Sequence, residues 1–128
     1  MKVRSTLVAA AALLTATGAR ADVLRFSCGK TEIAVDTAKP SVTLHFATGF
    51  STTYQNGTET RSYKFSDGSE DTYVSTETVS VDAKAIRFSN HYQKRDSAVA
   101  IDNIIDLKTS VWHHQEGSKS GDTPCARQ

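Results

Sequence analysis

The sequence of 128 residues contains none of the short motifs that mark the common enzyme families. No serine stands in a G-x-S-x-G pattern, and neither a phosphate-binding glycine loop nor a dinucleotide-binding fingerprint is present. Cysteine and proline are scarce, with two residues each, and there is one methionine and one tryptophan. We therefore assign no catalytic residue and no cofactor from the sequence, and we expect a protein that binds rather than catalyses.

Long apolar runs are also missing, except near the N-terminus. Residues 1–4 carry two positive charges, Leu7 to Leu14 is apolar throughout, and Ala19-Arg20-Ala21 has small residues where a signal peptidase cleaves. The apolar run is far shorter than the ~20 residues that a membrane-spanning helix needs. The pattern predicts a cleaved signal peptide, residues 1–21, and a single mature β domain, residues 22–128, without stable membrane insertion. The short alanine-rich signal is typical of bacteria, so we expect a periplasmic or secreted protein.

An excess of positive charge is absent too. The chain has 15 Lys+Arg and 14 Asp+Glu, and removing Lys2, Arg4 and Arg20 with the signal leaves 12 basic and 14 acidic residues, a net charge of −2. The longest basic run in the mature chain is Lys94-Arg95. Nucleic acid is therefore not an expected partner, because its phosphate backbone is bound by clustered lysine and arginine.

The two cysteines, Cys28 and Cys125, stand near opposite ends of the mature chain. An even pair in an oxidising compartment predicts a disulfide. A redox function would favour C-x-x-C spacing, and a metal site would need more ligands. The pair therefore predicts a structural bond that encloses nearly the whole domain.

Apolar and polar residues alternate along most of the mature chain. This period of two is typical of strands with one buried face, and no mature segment keeps a helical period over three turns. The sequence predicts an all-β fold, a single antiparallel meander of about eight strands (eight or nine), in a small barrel or sandwich closed by one terminal disulfide. The alternating positions include Leu24, Phe26, Cys28, Ile33, Val35, Val42, Leu44, Phe46, Val79, Val81, Ile86 and Phe88.

Turn residues divide this pattern. Asn56-Gly57 predicts a type I′ hairpin turn between two strands, because both central positions of that turn need positive φ. Asp67-Gly68 starts a second turn, and residues 106–110 form a third. The stretch 117–124, rich in glycine, serine and lysine, is predicted to be a loop.

Two acidic pairs raise the question of glycoside hydrolysis, which needs two carboxyl groups facing one cleft. Glu70-Asp71 is predicted to lie on a turn, where acids are normally solvated. Asp102 and Asp106 are predicted to flank a hairpin as turn and cap residues. Neither pair is interpreted as catalytic.

The four histidines are His45, His91, His113 and His114. Adjacent residues of a strand point to opposite faces, so His113 and His114 cannot ligate one ion without a bulge. A site would require one of them to meet a histidine of another strand, with Glu116 as an oxygen donor. We therefore assign no metal site.

Aromatic residues near strand ends are the remaining candidates for recognition. Tyr92 ends its strand, and Trp112 precedes the histidine pair. We predict a binding surface on the rim formed by residues 92–96 and 112–116, with Tyr92, Trp112, His113 and His114 as binding residues.

These features favour an exported, non-enzymatic binding or inhibitor module whose partner is a protein of the cell envelope. A signal, an early Cys28, a late Cys125 and an all-β middle are similar in general organisation to the small periplasmic lysozyme inhibitors. The Ser-Gly-x-x-Tyr loop of those inhibitors is absent, and Ser89-Asn90-His91-Tyr92 stands in a comparable place. One alternative is a small-ligand or metal carrier with a site at the barrel mouth. A second alternative is a small hydrolase. The sequence leaves the oligomeric state open.

Overall fold

A computed structural model describes residues 22–94 and 97–128. The predicted signal peptide, residues 1–21, and Arg95 and Asp96 of the predicted rim lie outside the described residues. The described residues form ten strands: β1 (Val23–Cys28), β2 (Thr31–Asp36), β3 (Ser41–His45), β4 (Ser51–Gln55), β5 (Gly57–Lys64), β6 (Glu70–Val81), β7 (Ala85–Gln93), β8 (Ala98–Asp106), β9 (Val111–Glu116) and β10 (Lys119–Arg127). No helix within the described ranges is long and apolar enough to cross a membrane.

The strands form one sheet in the order β4-β3-β2-β1-β10-β9-β8-β7-β6-β5. All neighbours are antiparallel, and the first strand pairs with the last. The sheet curls into a nearly closed barrel, because β4, at one end of the order, also contacts β6 and β7 near the other. The prediction of an all-β antiparallel meander is confirmed, with ten strands instead of eight or nine and with a barrel as the architecture.

The core lies between the short strands β1 to β3 and the parts of β6 to β8 that face them, which are the end of β6, the start of β7 and the end of β8. Its side chains come from the alternating positions that the sequence predicts, because opposed residues of antiparallel strands point to one face of the sheet. Tyr54 packs edge-on against Phe88, with ring centroids 5.1 Å apart. The buried cluster comprises Phe26, Cys28, Ile33, Val35, Val42, Leu44, Val79, Ile86, Phe88 and Ile105.

The predicted disulfide is present and joins the first strand to the last. Cys28 and Cys125 are directly opposed in the β1–β10 ladder, and their Cα atoms are 4.1 Å apart. Strand β10 changes partner here: residues 119–124 pair with β9 and residues 125–127 pair with β1. The bond therefore lies at the point where the last strand joins the two parts of the barrel wall.

The prediction of a loop over residues 117–124 is wrong. Only Gly117 and Ser118 form the turn, and Gly117 has a φ of 61°. The rest belongs to β10, whose residues 119–122 are exposed. Because that part of the strand buries neither face, it lacks the apolar alternation by which strands are recognised.

The prediction of a type I′ hairpin turn at Asn56-Gly57 is also wrong. Neither residue has positive φ, and β4 pairs with β3 while β5 pairs with β6. Asn56 is instead a single-residue corner. Its side-chain amide donates to the Val79 carbonyl at 3.1 Å and accepts from the Val79 N–H at 2.7 Å.

The turn at Asp67-Gly68 is confirmed, with Gly68 at a φ of 92°. Asp67 Oδ1 accepts from the Ser69 N–H at 2.9 Å, as an aspartate in a turn commonly does. Three acidic residues differ from expectation. Glu70-Asp71 begins β6, and Asp102 lies within β8, because the strands extend further than the apolar pattern indicates.

Candidate functional site

The inner face of the longer strands β6 and β7 is apolar at the core and polar beyond it, toward the β5–β6 hairpin. On β6 the inward positions run from buried Val79 through Glu77 and Ser75 to Tyr73, and on β7 they run from Phe88 to Tyr92. The long strands therefore continue beyond the apolar core and carry polar groups and then tyrosines on the same face.

A polar layer covers the core. The Ser75 hydroxyl donates to Asn90 Oδ1 at 3.0 Å, and Asn90 Nδ2 donates to Glu77 Oε2 at 3.2 Å. The other oxygen of Glu77 accepts from the Gln55 N–H at 3.1 Å, which ties β4 to β6. These bonds satisfy polar groups that would be costly to bury alone.

Trp112 and His114 extend this layer on β9. Both bond the amide oxygen of Asn103, which is only 2% exposed. Trp112 Nε1 donates at 2.9 Å, and His114 Nδ1 lies 2.7 Å away, so the tautomer with a proton on Nδ1 also donates. The two rings are 5.8 Å apart, edge to face. This arrangement fixes both side chains.

Tyr54 connects the core to the polar layer. Burial raises the pKa of its hydroxyl, and the nearby Glu77 carboxylate raises that pKa further, because both disfavour a phenolate. Tyr54 is therefore a neutral hydroxyl at neutral pH and not a candidate base.

Above the polar layer lies an open cleft of about 490 Å³, which we call the tyrosine cleft. Its tyrosine rings follow one another across three strands. Tyr63 and Tyr73 have centroids 5.7 Å apart, and Tyr73 and Tyr92 have the same separation. The lining residues are Tyr63, Tyr73, Tyr92, Lys94, Val99 and Glu116.

The rings in this cleft are tilted against one another and are not coplanar. The Tyr63 and Tyr73 planes make 52°, and the Tyr73 and Tyr92 planes make 73°. The Lys94 ammonium lies 5.4 Å from the Tyr63 centroid and 5.8 Å from the Tyr73 centroid, within the range of cation–π attraction. The chain therefore places its own cation against the ring faces.

The structure separates the four residues of the predicted rim. Tyr92 lines the tyrosine cleft, whereas Trp112 and His114 belong to the polar layer below it. His113 is on the outer surface of the barrel, where its Nδ1 lies 2.7 Å from Asp122 Oδ1. The opposite directions of His113 and His114 agree with strand geometry.

Tyr63 and Tyr73 were not predicted from the sequence as binding residues, whereas Lys94 lies within the predicted rim, residues 92–96. A usable signal was present, because Tyr63 and Tyr73 flank the Asp67-Gly68 turn. In the hairpin Tyr63 is opposed to Asp71 and Tyr73 to Arg61, so both tyrosines share one face. Lys94 follows Tyr92 by two positions and comes directly after the end of β7, and its ammonium lies on the same side as the tyrosine rings.

A serine, a histidine and an aspartate meet on the outer surface of β7 and β8. Asp102 Oδ1 accepts from the Ser89 hydroxyl at 2.9 Å and lies 3.0 Å from His91 Nε2. The hydrogen bond with His91 is the main cause that lowers the pKa of Asp102. The aspartate lies between the other two, whereas nucleophilic catalysis needs a histidine in contact with the serine. The cluster therefore does not activate Ser89.

Among the described residues, no group of three or more His, Cys, Asp or Glu side chains is placed to hold a metal ion. His114 and Glu116 come closest on the inner face, with Nε2 and Oε1 3.9 Å apart. A second carboxylate or histidine does not join them there. The structure therefore offers no metal site to the carrier alternative in the part of the chain that it describes.

Comparison with known proteins returns no match: no family model, no curated protein and no solved structure is significantly similar to the chain. The described residues form a nearly closed, ten-stranded antiparallel barrel with a terminal disulfide and with a tyrosine cleft on its inner face.

Proposed function

We propose that this protein is an exported, periplasmic or secreted, bacterial binding or inhibitor module that recognises a protein of the cell envelope through the tyrosine cleft. The observation that carries the proposal is the row of three tyrosines on the inner face of an open cleft. Tyrosine is enriched among residues that dominate binding energy at protein interfaces, since it combines a large rigid ring with a hydroxyl. The disulfide supports an oxidising compartment.

A protein partner is favoured over a small ligand by the way the aromatic surface continues out of the cleft. Phe65 lies beyond the end of β5, is 46% exposed and packs edge-on against Tyr63 at 5.1 Å. The aromatic row therefore reaches the tip of the β5–β6 hairpin. A small ligand within the cleft would leave this exposed part uncovered, whereas a protein surface would cover both.

The small-ligand carrier remains the second candidate, because the cleft volume falls within the range of about 300–1,000 Å³ that is usual for ligand sites. Such sites normally enclose most of the ligand surface. The tyrosine cleft is open to solvent on one side. This geometry suits a side chain inserted from a larger partner better than an enclosed molecule.

The test uses the mature protein isolated from its own compartment. Native mass spectrometry should show a stoichiometric protein complex, while a retained small mass would support the carrier. The matched variants are Phe65→Ser in the aromatic row and Phe50→Ser on the β3–β4 turn, where Phe50 is 65% exposed.

The Phe65→Ser variant should bind the partner at least about 10-fold more weakly, while Phe50→Ser should bind as the wild type does. Equal affinity of both variants would reject the tyrosine cleft and its hairpin tip as the recognition surface. Trp112→Ala is less informative, because Trp112 packs against the core and its replacement would also lower stability.

A further inference from the structure

The geometry points to the tyrosine cleft as an alkylammonium site: the Lys94 ammonium lies on two of its rings in the free protein, and a lysine side chain of the partner replaces Lys94 on binding. The first part stands on the contacts of Lys94 with Tyr63 and Tyr73. The second part rests on the proposed function, because it requires a protein partner.

Ring orientation favours a cation over a flat ligand. A sugar or a nucleobase stacks on a ring face, so two rings can both stack on it only when their planes are nearly parallel. Here the successive tyrosines are inclined by 52° and 73°. Rings inclined in this way can direct several electron-rich faces and hydroxyl groups at one compact charge, which is how aromatic cages hold ammonium groups.

The electrostatics of the cleft also favour a cation once Lys94 has moved away. Glu116 is then the charged residue that lines the cleft, and Glu77 lies in the polar layer beneath it. Burial is the main cause that raises the pKa of Tyr92, and the Glu77 carboxylate adds to this effect, although Arg61 opposes it. The Tyr92 hydroxyl therefore stays neutral, and its oxygen can accept a hydrogen bond from an ammonium group.

Lys94 is an exposed residue directly after the end of β7. Its ammonium lies against the rings of Tyr63 and Tyr73 and forms no salt bridge with another residue of the described ranges. A cation–π contact at an exposed site is weak, because water screens the attraction and hydrates the ammonium. A partner lysine that gains the same contacts with more complete desolvation can therefore compete.

The test compares choline with its neutral isostere 3,3-dimethyl-1-butanol, and both titrations are followed by NMR of the tyrosine rings. Lys94→Met removes the charge that lies on the rings and keeps a long side chain. We expect this variant to bind choline about 2- to 5-fold more tightly than the wild type, with no comparable gain for the neutral isostere. Adding Tyr73→Leu to Lys94→Met should abolish the gain.

Lys84→Met is the matched control, because Lys84 is an exposed lysine on the β6–β7 turn, away from the cleft. It should bind choline as the wild type does. If Lys94→Met does not bind choline, or binds both probes equally, the alkylammonium site is wrong.

The partner experiment separates this inference from the proposed function. Tighter capture of the partner by Lys94→Met supports the replacement of Lys94 by a partner lysine, and weaker capture overturns it. If Phe65→Ser binds the partner more weakly but Lys94→Met does not bind choline more tightly, the proposed function is supported and the ammonium site is rejected. If Lys94→Met binds choline selectively but Phe65→Ser binds the partner as tightly as the wild type does, the ammonium site is supported and the proposed function is rejected.

Discussion

Asn56 shows how one side chain can substitute for a missing stretch of strand pairing. The last backbone pair between β5 and β6 joins Gly57 and Glu77. Two residues further along β6, the Val79 N–H and carbonyl have no strand opposite them on this side, and the Asn56 amide satisfies both. A primary amide is suited to this role because it carries a donor and an acceptor side by side.

Replacing Asn56 with alanine should therefore open this corner. We expect Asn56→Ala to lower the free energy of unfolding by about 1–3 kcal/mol, because two polar groups of a buried residue lose their partner. Asn56→Asp is the matched variant, since it keeps the acceptor and loses the donor, and it should fall between alanine and the wild type. Urea unfolding measures the difference, and an Asn56→Ala variant as stable as the wild type would contradict this role.

Asp106 gives a pH-dependent prediction. Its Oδ1 accepts from the N–H groups of Lys108 and Thr109, and the bond from Thr109 is the largest cause that lowers the pKa of Asp106 below its usual value near 3.8. Because the pKa is lower in the folded state, the carboxylate stabilises the fold above about pH 4, and this contribution disappears as the pH falls through the folded pKa.

Asp106→Asn preserves an oxygen acceptor but does not titrate. The variant should be less stable than the wild type at pH 6 to 7, and the two should converge as the pH approaches 2.5. Urea unfolding at successive pH values checks this, with Asp106→Ala as the variant that loses the acceptor at every pH. A deficit of Asp106→Asn that is the same at pH 7 and pH 2.5 would show that the charge of Asp106 has no role.

At the scale of elements, the sequence predicts strands well where one face is buried and poorly where neither is. Strands β1 to β3, β7 and the ends of β6 and β8 supply the core, so their alternation is clear. Residues 119–122 of β10 are solvated, and their pairing with β9 follows from chain reversal at Gly117 instead of from burial. The tyrosine cleft was missed for a related reason, because it depends on the register of the β5–β6 hairpin, which composition does not define.

The turn between β8 and β9 contains an unfavourable residue. Ser110 has a φ of 58°, the only positive φ of a non-glycine residue in the described ranges. Its N–H donates to the Asp106 carbonyl at 2.8 Å, and its carbonyl accepts from Cys125 N–H at 2.7 Å, so the turn holds this conformation in place. Left-handed backbone costs an ordinary residue about 1–2 kcal/mol.

Ser110→Gly should therefore raise stability by up to about 1 kcal/mol, since glycine removes the steric cost but gains freedom in the unfolded chain. Ser110→Val should lower stability, because a β-branched side chain tolerates positive φ poorly. Thermal unfolding of the two variants provides the measurement. A valine variant more stable than the glycine variant would contradict the assigned backbone conformation.

At the scale of the whole molecule, closure of the barrel depends on two different joints. One joint is the Asn56 corner, where side chains connect β4 to β6. The other is the β1–β10 ladder, in which the described residues form three pairs, one of them the disulfide-bonded pair. The sequence predicts the second joint, because two cysteines can form only one disulfide. It does not predict the first, because the sequence position of an asparagine does not distinguish a corner from a hairpin turn.

The disulfide spans 97 residues of sequence, so its loss should act on the unfolded chain as a whole. A closed loop of this size restricts the unfolded state by an amount equivalent to at most about 4.7 kcal/mol, and measured values for native disulfides are commonly about 2–4 kcal/mol. We expect the Cys28→Ala/Cys125→Ala variant to lose about 3 kcal/mol in urea unfolding, with alanine chosen because Cys28 is 1% exposed and a serine hydroxyl would be buried there. Reduced wild-type protein should be destabilised to a similar extent, and the reductant should leave the double variant unchanged. A double variant within 1 kcal/mol of the oxidised wild type would mean that the ladder pairing of β1 with β10 closes the barrel without the covalent bond.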